Sequence, residues 1–203
     1  MLFTKSVIID TLAAHLQLIL EDLKQIIKEC AKGNTRAQEQ LYKLFAPKMY
    51  GVCLRYSKDK TEAEDNLQEG FIKVFTGIKN FRHEGSFEGW MRRIMVNVSL
   101  EKFRKQQLMY PVEDMAMYEG NQVSDDILAN ISAQEITGLI QELTPRYRMV
   151  FNLYVFEGMS HEEISKEMNI STGTSKSNLA RARDVLKNRV RALYGGLDKN
   201  NTA

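Results

Sequence analysis

Leu67, Phe71, Val74 and Ile78 follow one another at steps of four, three and four, the spacing that lines one face of an α-helix. A strand would throw the same residues to both sides, so this stretch has to bury a single stripe against other helices. Thr61 followed by Glu64 suggests a capping box at its start. Phe87, Trp90, Ile94 and Val98 give a second stripe, running to about Gln107, and Leu179, Ala182, Leu186 and Val190 give a third. Only three prolines interrupt a chain rich in helix formers. Residues 21–57 read as helices broken at Lys32 to Asn34, where Gly33 suits a C-terminal cap. The expected fold class is all-α.

Periodicity fades between Met109 and Asn130, a stretch that is acidic and contains Pro111 and Gly120, and so reads as a flexible linker. Beyond it Thr144 and Pro145 stand in the favoured order of N-cap and first helical residue. That helix carries Val150, Phe151, Tyr154 and Val155, and Gly158 can close it. Ser160 with Glu163 forms another capping box before a short helix bearing Ile164 and Met168, and a further helix begins near Ser171. The chain therefore divides into an extension (1–20), a first helical domain (21–107), an acidic linker (108–130), a second small helical domain (131–195) and a tail (196–203).

The net charge of +2 says little about partners, but its distribution says more. Ser171 to Arg191 holds six Lys or Arg against one acid, and Val112 to Glu135 holds six acids and no base. Cys30 and Cys53 lack neighbours at metal-ligand spacing and read as buried, reduced thiols, so no metal or other cofactor is expected. The apolar start Val7 to Leu20 is shorter than a membrane span and is broken by Asp10 and His15. It reads as an extra amphipathic helix or an extension, which implies no membrane insertion and a cytoplasmic protein.

Short helix, tight turn and longer basic helix make the helix-turn-helix layout, whose second helix enters the DNA major groove. With Leu179, Ala182 and Leu186 facing the core, Thr174, Asn178 and Arg181 share an outward stripe, with Ser175 and Lys176 beside it. Ser171 would cap the helix, and the small residues at its start permit close approach to DNA. A solvated face on a packing helix is the plainer alternative. In the segment Phe87 to Gln107, Arg92, Arg93, Asn97, Lys102, Arg104 and Lys105 alternate with Phe87, Trp90 and Phe103, which suits melted DNA. Taken singly, Phe87 and Trp90 are read more readily as core than as a stacking surface. Glu62, Asp65, Gln68 and Glu69 lie opposite the first apolar stripe and form either a solvated face or a docking face for a basic partner.

In this order, "AEDNLQEGFIKVF", "FRHEGSFEGWMRRIMVNVSLEKFRK" and "LTPRYRMVFNLYVFEGMSHEEISKEMNISTGTSKSNLARARDVLK" resemble the extracytoplasmic-function (ECF) branch of the sigma-70 family, the promoter-recognition subunits of RNA polymerase. The first is similar to the polymerase-binding part of region 2, the second to its promoter-melting and −10 recognition part, and the third to region 4. The resemblance implies that Glu62, Asp65, Gln68, Glu69 and Ile72 dock on core RNA polymerase. It implies that the loop containing Asn80, Arg82, His83 and Ser86, with Trp90, holds a flipped-out base, while Arg92, Arg93, Asn97 and Arg104 contact the −10 element. Ser171, Thr174, Ser175, Lys176, Ser177, Asn178 and Arg181 would face the −35 element of promoter DNA. The family's activity is commonly held off by an anti-sigma factor, and the linker would thread near the polymerase active-site cleft.

Where the family usually reads "GTVKSR", this chain has "GTSKSN", placing Ser175 for Val and Asn178 for Arg. Loss of that cation should weaken a phosphate or guanine contact and shift the preferred −35 sequence. An autonomous helix-turn-helix repressor or activator is the rival reading, but no heptad supplies a dimer interface, and the first hundred residues go unexplained. An enzyme built on Glu62, Asp65 and Glu69 lacks a converging base, nucleophile or ligand, so no catalytic residue is expected.

Overall fold

The computed structural model describes residues 21–109 and 132–194; the extension, the acidic linker and the tail lie outside the described residues. Among the described residues every regular element is a helix, and there is no strand. Residues 21–31 belong to α1, and Gly33, at φ 83°, turns the chain in the left-handed region that favours glycine. Asn34 then caps α2 (Thr35–Tyr56), its side chain accepting from the N–H groups of Arg36 and Ala37 at 3.0 and 3.2 Å. After α3 (Lys60–Gly77) come a 3-10 turn (Ile78–Asn80) and α4 (Phe87–Met109).

The cap of α3 lies two residues before the expected one. Asp59 accepts from the Glu62 N–H at 2.8 Å, and the Glu62 carboxylate reaches back to the Lys58 N–H at 2.7 Å. An Asp at the right offset outcompetes Thr61, which is already inside the first turn. The four stripe residues Leu67, Phe71, Val74 and Ile78 are all buried. On α4 the stripe is shifted: Phe87 and Val98 are buried, but Trp90 and Ile94 are half-buried, and Met91 and Met95 fill the centre. The flexible thioether of Met95 packs where Gly70 leaves α3 without a side chain.

In the second half, Ser132 and Glu135 form a capping box on α5 (Ala133–Gln141), an element that no motif in the sequence had marked. Hydrogen bonds from Ser132 and Tyr194 hold the Glu135 carboxyl down to about 2. The end of α5 is closed from inside: buried Arg148 donates to the carbonyls of Ile140, Gln141 and Leu143 at 2.6–3.2 Å. There follow α6 (Pro145–Val155), α7 (His161–Met168) and α8 (Thr172–Tyr194). Thr144 and Pro145 stand where expected, and the Ser160–Glu163 capping box is formed.

Two helical groups, α2–α3–α4 and α6–α7–α8, pack internally and then against each other, with α5 and α6 on α2 and α7 on α4. One apolar cluster runs from Ile27 through Phe71 and Met95 to Leu153, Ile164 and Leu179. Cys30 and Cys53 are free and buried, as expected, and burial pushes the Cys53 thiol up to about 12.

Candidate nucleic-acid and polymerase interfaces

Four aromatic and histidine rings gather where the chain leaves the 3-10 turn. Phe81 lies 5.0 Å from Phe87 and 5.5 Å from Trp90 between ring centroids, and His83 meets Phe81 edge-on at 4.6 Å. Ser86 caps α4, its hydroxyl accepting from the Gly89 N–H at 3.0 Å and its carbonyl from the Trp90 N–H at 3.1 Å. The loop bends through left-handed backbone at His83 (φ 59°) and Gly85 (φ 111°). Between loop and helix opens a cavity of about 450 Å³, lined by the 80–86 loop with Phe81, Arg82 and Glu84, and by Gly89, Trp90 and Arg93 of α4. An aromatic wall with two guanidinium groups offers stacking and charge to one unpaired base.

Further along α4, Arg93 and Asn97 are exposed, whereas Arg92 and Arg104 turn toward the second helical group. Arg92 donates to both Glu157 carboxylate oxygens, from Nε to Oε2 at 2.9 Å and from Nη2 to Oε1 at 2.8 Å, and from Nη2 to the Phe156 carbonyl at 2.6 Å. That hydrogen bonding to Glu157 raises the Arg92 pKa above its usual value. The buried Tyr56 hydroxyl donates to Glu157 as well, at 3.2 Å, and burial followed by the Glu157 charge raises the Tyr56 pKa. Arg104 bonds the Glu167 carbonyl at 2.7 Å and also its carboxylate. Arg55 lies over the Phe156 ring at 4.6 Å, and Asn152 donates to the Arg55 carbonyl at 2.7 Å. No sequence signal marked Glu157 or Glu167, because their arginine partners are 65 and 63 residues distant and Tyr56 is 101 residues from Glu157.

On α3, Asp65, Gln68 and Ile72 share one exposed line, Ile72 with 64% of its surface open. Glu62 and Glu69 are half-buried; Glu69 lies 3.6 Å from Lys73 and 4.0 Å from Lys102. Tyr42, exposed and packed 4.6 Å from Phe71, and exposed Leu44 add apolar surface that no periodicity had marked.

In the helix-turn-helix, Asn169 makes the turn at φ 52° and Ser171 caps α8, accepting from the Thr174 N–H at 2.9 Å. Lys176 and Ser177 are exposed, and Thr174 and Arg181 partly so. Asn178 and Ser175 depart from the expected face: both are fully buried. Ser175 bonds His161 Nδ1 at 2.9 Å, and neither polar atom of the Asn178 amide has a partner among the described residues. The physical reason is helical phase, since Asn178 precedes buried Leu179 and lies four residues before buried Ala182, on the inward side of the helix. Ala180 and Arg183 take the exposed places instead.

The profile of "Sigma-70 region 2" matches residues 41–108, and that of "Sigma-70, region 4" matches residues 133–186. ECF RNA polymerase sigma factor SigW of Bacillus subtilis is 30% identical over 183 residues, covering 84% of this chain and 98% of its own. This chain belongs to the ECF sigma factor family. RNA polymerase sigma-H factor of Pseudomonas aeruginosa is 29% identical over 181 residues, 83% of this chain and 94% of that one. A solved structure of the sigma factor RpoE with the anti-sigma factor NepR, from Bartonella quintana, is 21% identical with a TM-score of 0.45, covering 74% of this chain and 94% of that one. Among the described residues of this sigma factor, no group of three His, Cys, Asp or Glu could hold a metal ion, and no helix is long and apolar enough to cross a membrane.

Proposed function

We propose that this sigma factor docks on core RNA polymerase through α3, centred on Asp65, Gln68 and Ile72, with Glu62 and Glu69 at the margin. It reads the −35 element with Lys176, Ser177 and Arg181 of α8, helped by Ser171 and Thr174. It captures one unpaired non-template base of the −10 element in the cavity between the 80–86 loop and Trp90. It works in the cytoplasm, held off by an anti-sigma partner as its family implies. The cavity carries this reading: it has the size, the aromatic wall and the cations that a splayed-out base requires, and it sits where the basic face of α4 begins.

Arg92 and Arg104 belong to the same DNA-reading face, yet each is hydrogen-bonded across the seam between the helical groups. An arginine whose Nε and Nη2 donors are both committed to the second helical group has few donors left for phosphate. Promoter engagement through these two side chains therefore requires the second group to swing away from α4. Binding to polymerase supplies the contacts that favour the open arrangement.

The test is transcription in vitro with core RNA polymerase on fragments that include the gene's own upstream region. The start site would be mapped, and melting followed by permanganate reactivity of unpaired thymines. Trp90→Ala should leave polymerase binding intact and lose melting; full melting by that variant would refute the base-capture role.

A further inference from the structure

The loop that walls the base-sized cavity has a second cavity on its other side. Phe81 and Gly85 line both. The second is larger, about 760 Å³, and opens between α1 and the chain from Ile78 to Gly85. Lys24 and Lys28 reach it from α1, Lys79 and His83 from the loop side, over a floor that includes Ile27 and Ile78.

Its charge is one-sided. No Asp or Glu lines it, and Glu84, the acid of the loop, lies on the first cavity's side. Lys24, Lys28 and Lys79 are all exposed, and none forms an ion pair among the described residues. Of the acids on α1, Glu29 is paired with Lys32 at 2.7 Å, and Glu21 and Asp22 line neither cavity. Three exposed ammonium groups around a partly apolar floor suit a ligand with repeated anionic groups and flat apolar parts between them. The backbone at His83 adopts a left-handed conformation that is uncommon for a residue with a side chain, and the turn leaves its ring against Phe81, lining this cavity.

We propose that this groove is a second subsite for single-stranded DNA, holding the phosphates of nucleotides that adjoin the captured base. The 80–86 loop is then a partition that the strand crosses: a base on one face and its neighbouring phosphates on the other. The inference rests on the base-capture reading above. Continuity through the shared wall and the unbroken positive charge select nucleic acid over an acidic protein as the occupant.

The experiment measures binding of a fluorescent non-template −10 oligonucleotide, taken from the mapped promoter, to holoenzyme assembled from core polymerase and the full-length chain. Affinity is followed by anisotropy between about 50 and 200 mM salt. In single strands each neutralised phosphate contributes about 0.7 to the slope of log K against log salt. The triple variant Lys24→Gln, Lys28→Gln, Lys79→Gln should lower the slope by about 1.4 if two phosphates are held, with a loss of about tenfold at the lower salt. Lys79→Gln alone should lower it by about 0.7. An unchanged slope and affinity in the triple variant, while Trp90→Ala still abolishes base discrimination, overturns the groove and leaves the base-capture reading standing. Full base discrimination by Trp90→Ala overturns that reading and the subsite with it. A triple variant that binds DNA normally but assembles poorly with core polymerase overturns the subsite in favour of a protein contact.

Discussion

Glu157 ties the two helical groups together through several hydrogen bonds, and its removal has a calculable effect. It accepts from two nitrogens of Arg92 and from the Tyr56 hydroxyl, with only 16% of its side chain exposed. A charge-assisted hydrogen bond contributes about 1.5–3 kcal/mol net, and screening is limited where the carboxylate is largely covered. Arg92 is 35% exposed, which pulls the pair toward the lower half of that range. Glu157→Ala also leaves the buried Tyr56 hydroxyl without this acceptor, at a cost of about 1–3 kcal/mol. A double-mutant cycle with Glu157→Ala and Arg92→Ala, read by urea unfolding, should give a coupling energy of about 1.5–2 kcal/mol. Releasing the seam has a functional counterpart. Glu157→Ala should raise the affinity of the free sigma factor for −10 DNA, and the double variant should lose that gain because Arg92 is the released group. A coupling energy below about 0.5 kcal/mol, the level of an ordinary surface pair, would refute the claim that this contact joins the two helical groups.

Further outcomes follow from particular side chains. Asn178→Leu, which replaces an unpartnered buried amide by an apolar group of similar size, should stabilise the protein by about 1 kcal/mol in thermal melts and leave the −35 footprint unchanged, whereas Lys176→Ala should weaken that footprint. Gly70→Ala should change stability by less than about 1 kcal/mol in urea titrations, because its Cβ meets only the flexible end of the Met95 side chain, and the cost of moving that thioether is offset by the better helix propensity of Ala inside α3; a loss above about 3 kcal/mol would show that Met95 cannot move. Cys53 is protonated in the fold up to about 12 against an ordinary value of 9.0, so its contribution to stability is complete below 9 and declines as pH rises toward 12. At pH 8 neither cysteine should react with a thiol reagent until the chain unfolds; a rapid native-state reaction would contradict their burial.

The helices themselves were legible because each buries a stripe at helical spacing, and Leu67, Phe71, Val74 and Ile78 are buried as that spacing requires. Capping boxes were legible where they are short-range and unchallenged, as at Ser160 and Glu163, and misread at Thr61 because Asp59 competes two residues earlier. Asn178 was misplaced for a related reason. A polar residue beside a basic stripe reads as outward, and only helical phase against Leu179 and Ala182 shows that it points in. The seam was illegible in principle: Arg92 with Glu157 and Arg104 with Glu167 are long-range pairs of residue types that are ordinarily solvated. The second cavity escaped for the same cause, since Lys24 and Lys79, far apart in sequence, line one groove only in the folded chain.

The measurement that bears most directly on the account is promoter-specific transcription by core RNA polymerase with Asp65→Ala, Ile72→Ala and the unaltered chain compared side by side. The account predicts initiation at a defined start with the unaltered chain and its loss in both variants, in parallel with weaker binding to core polymerase and unchanged thermal stability. Full initiation by both variants, or tight binding of the isolated chain to promoter DNA with no start site dependent on polymerase, would contradict it.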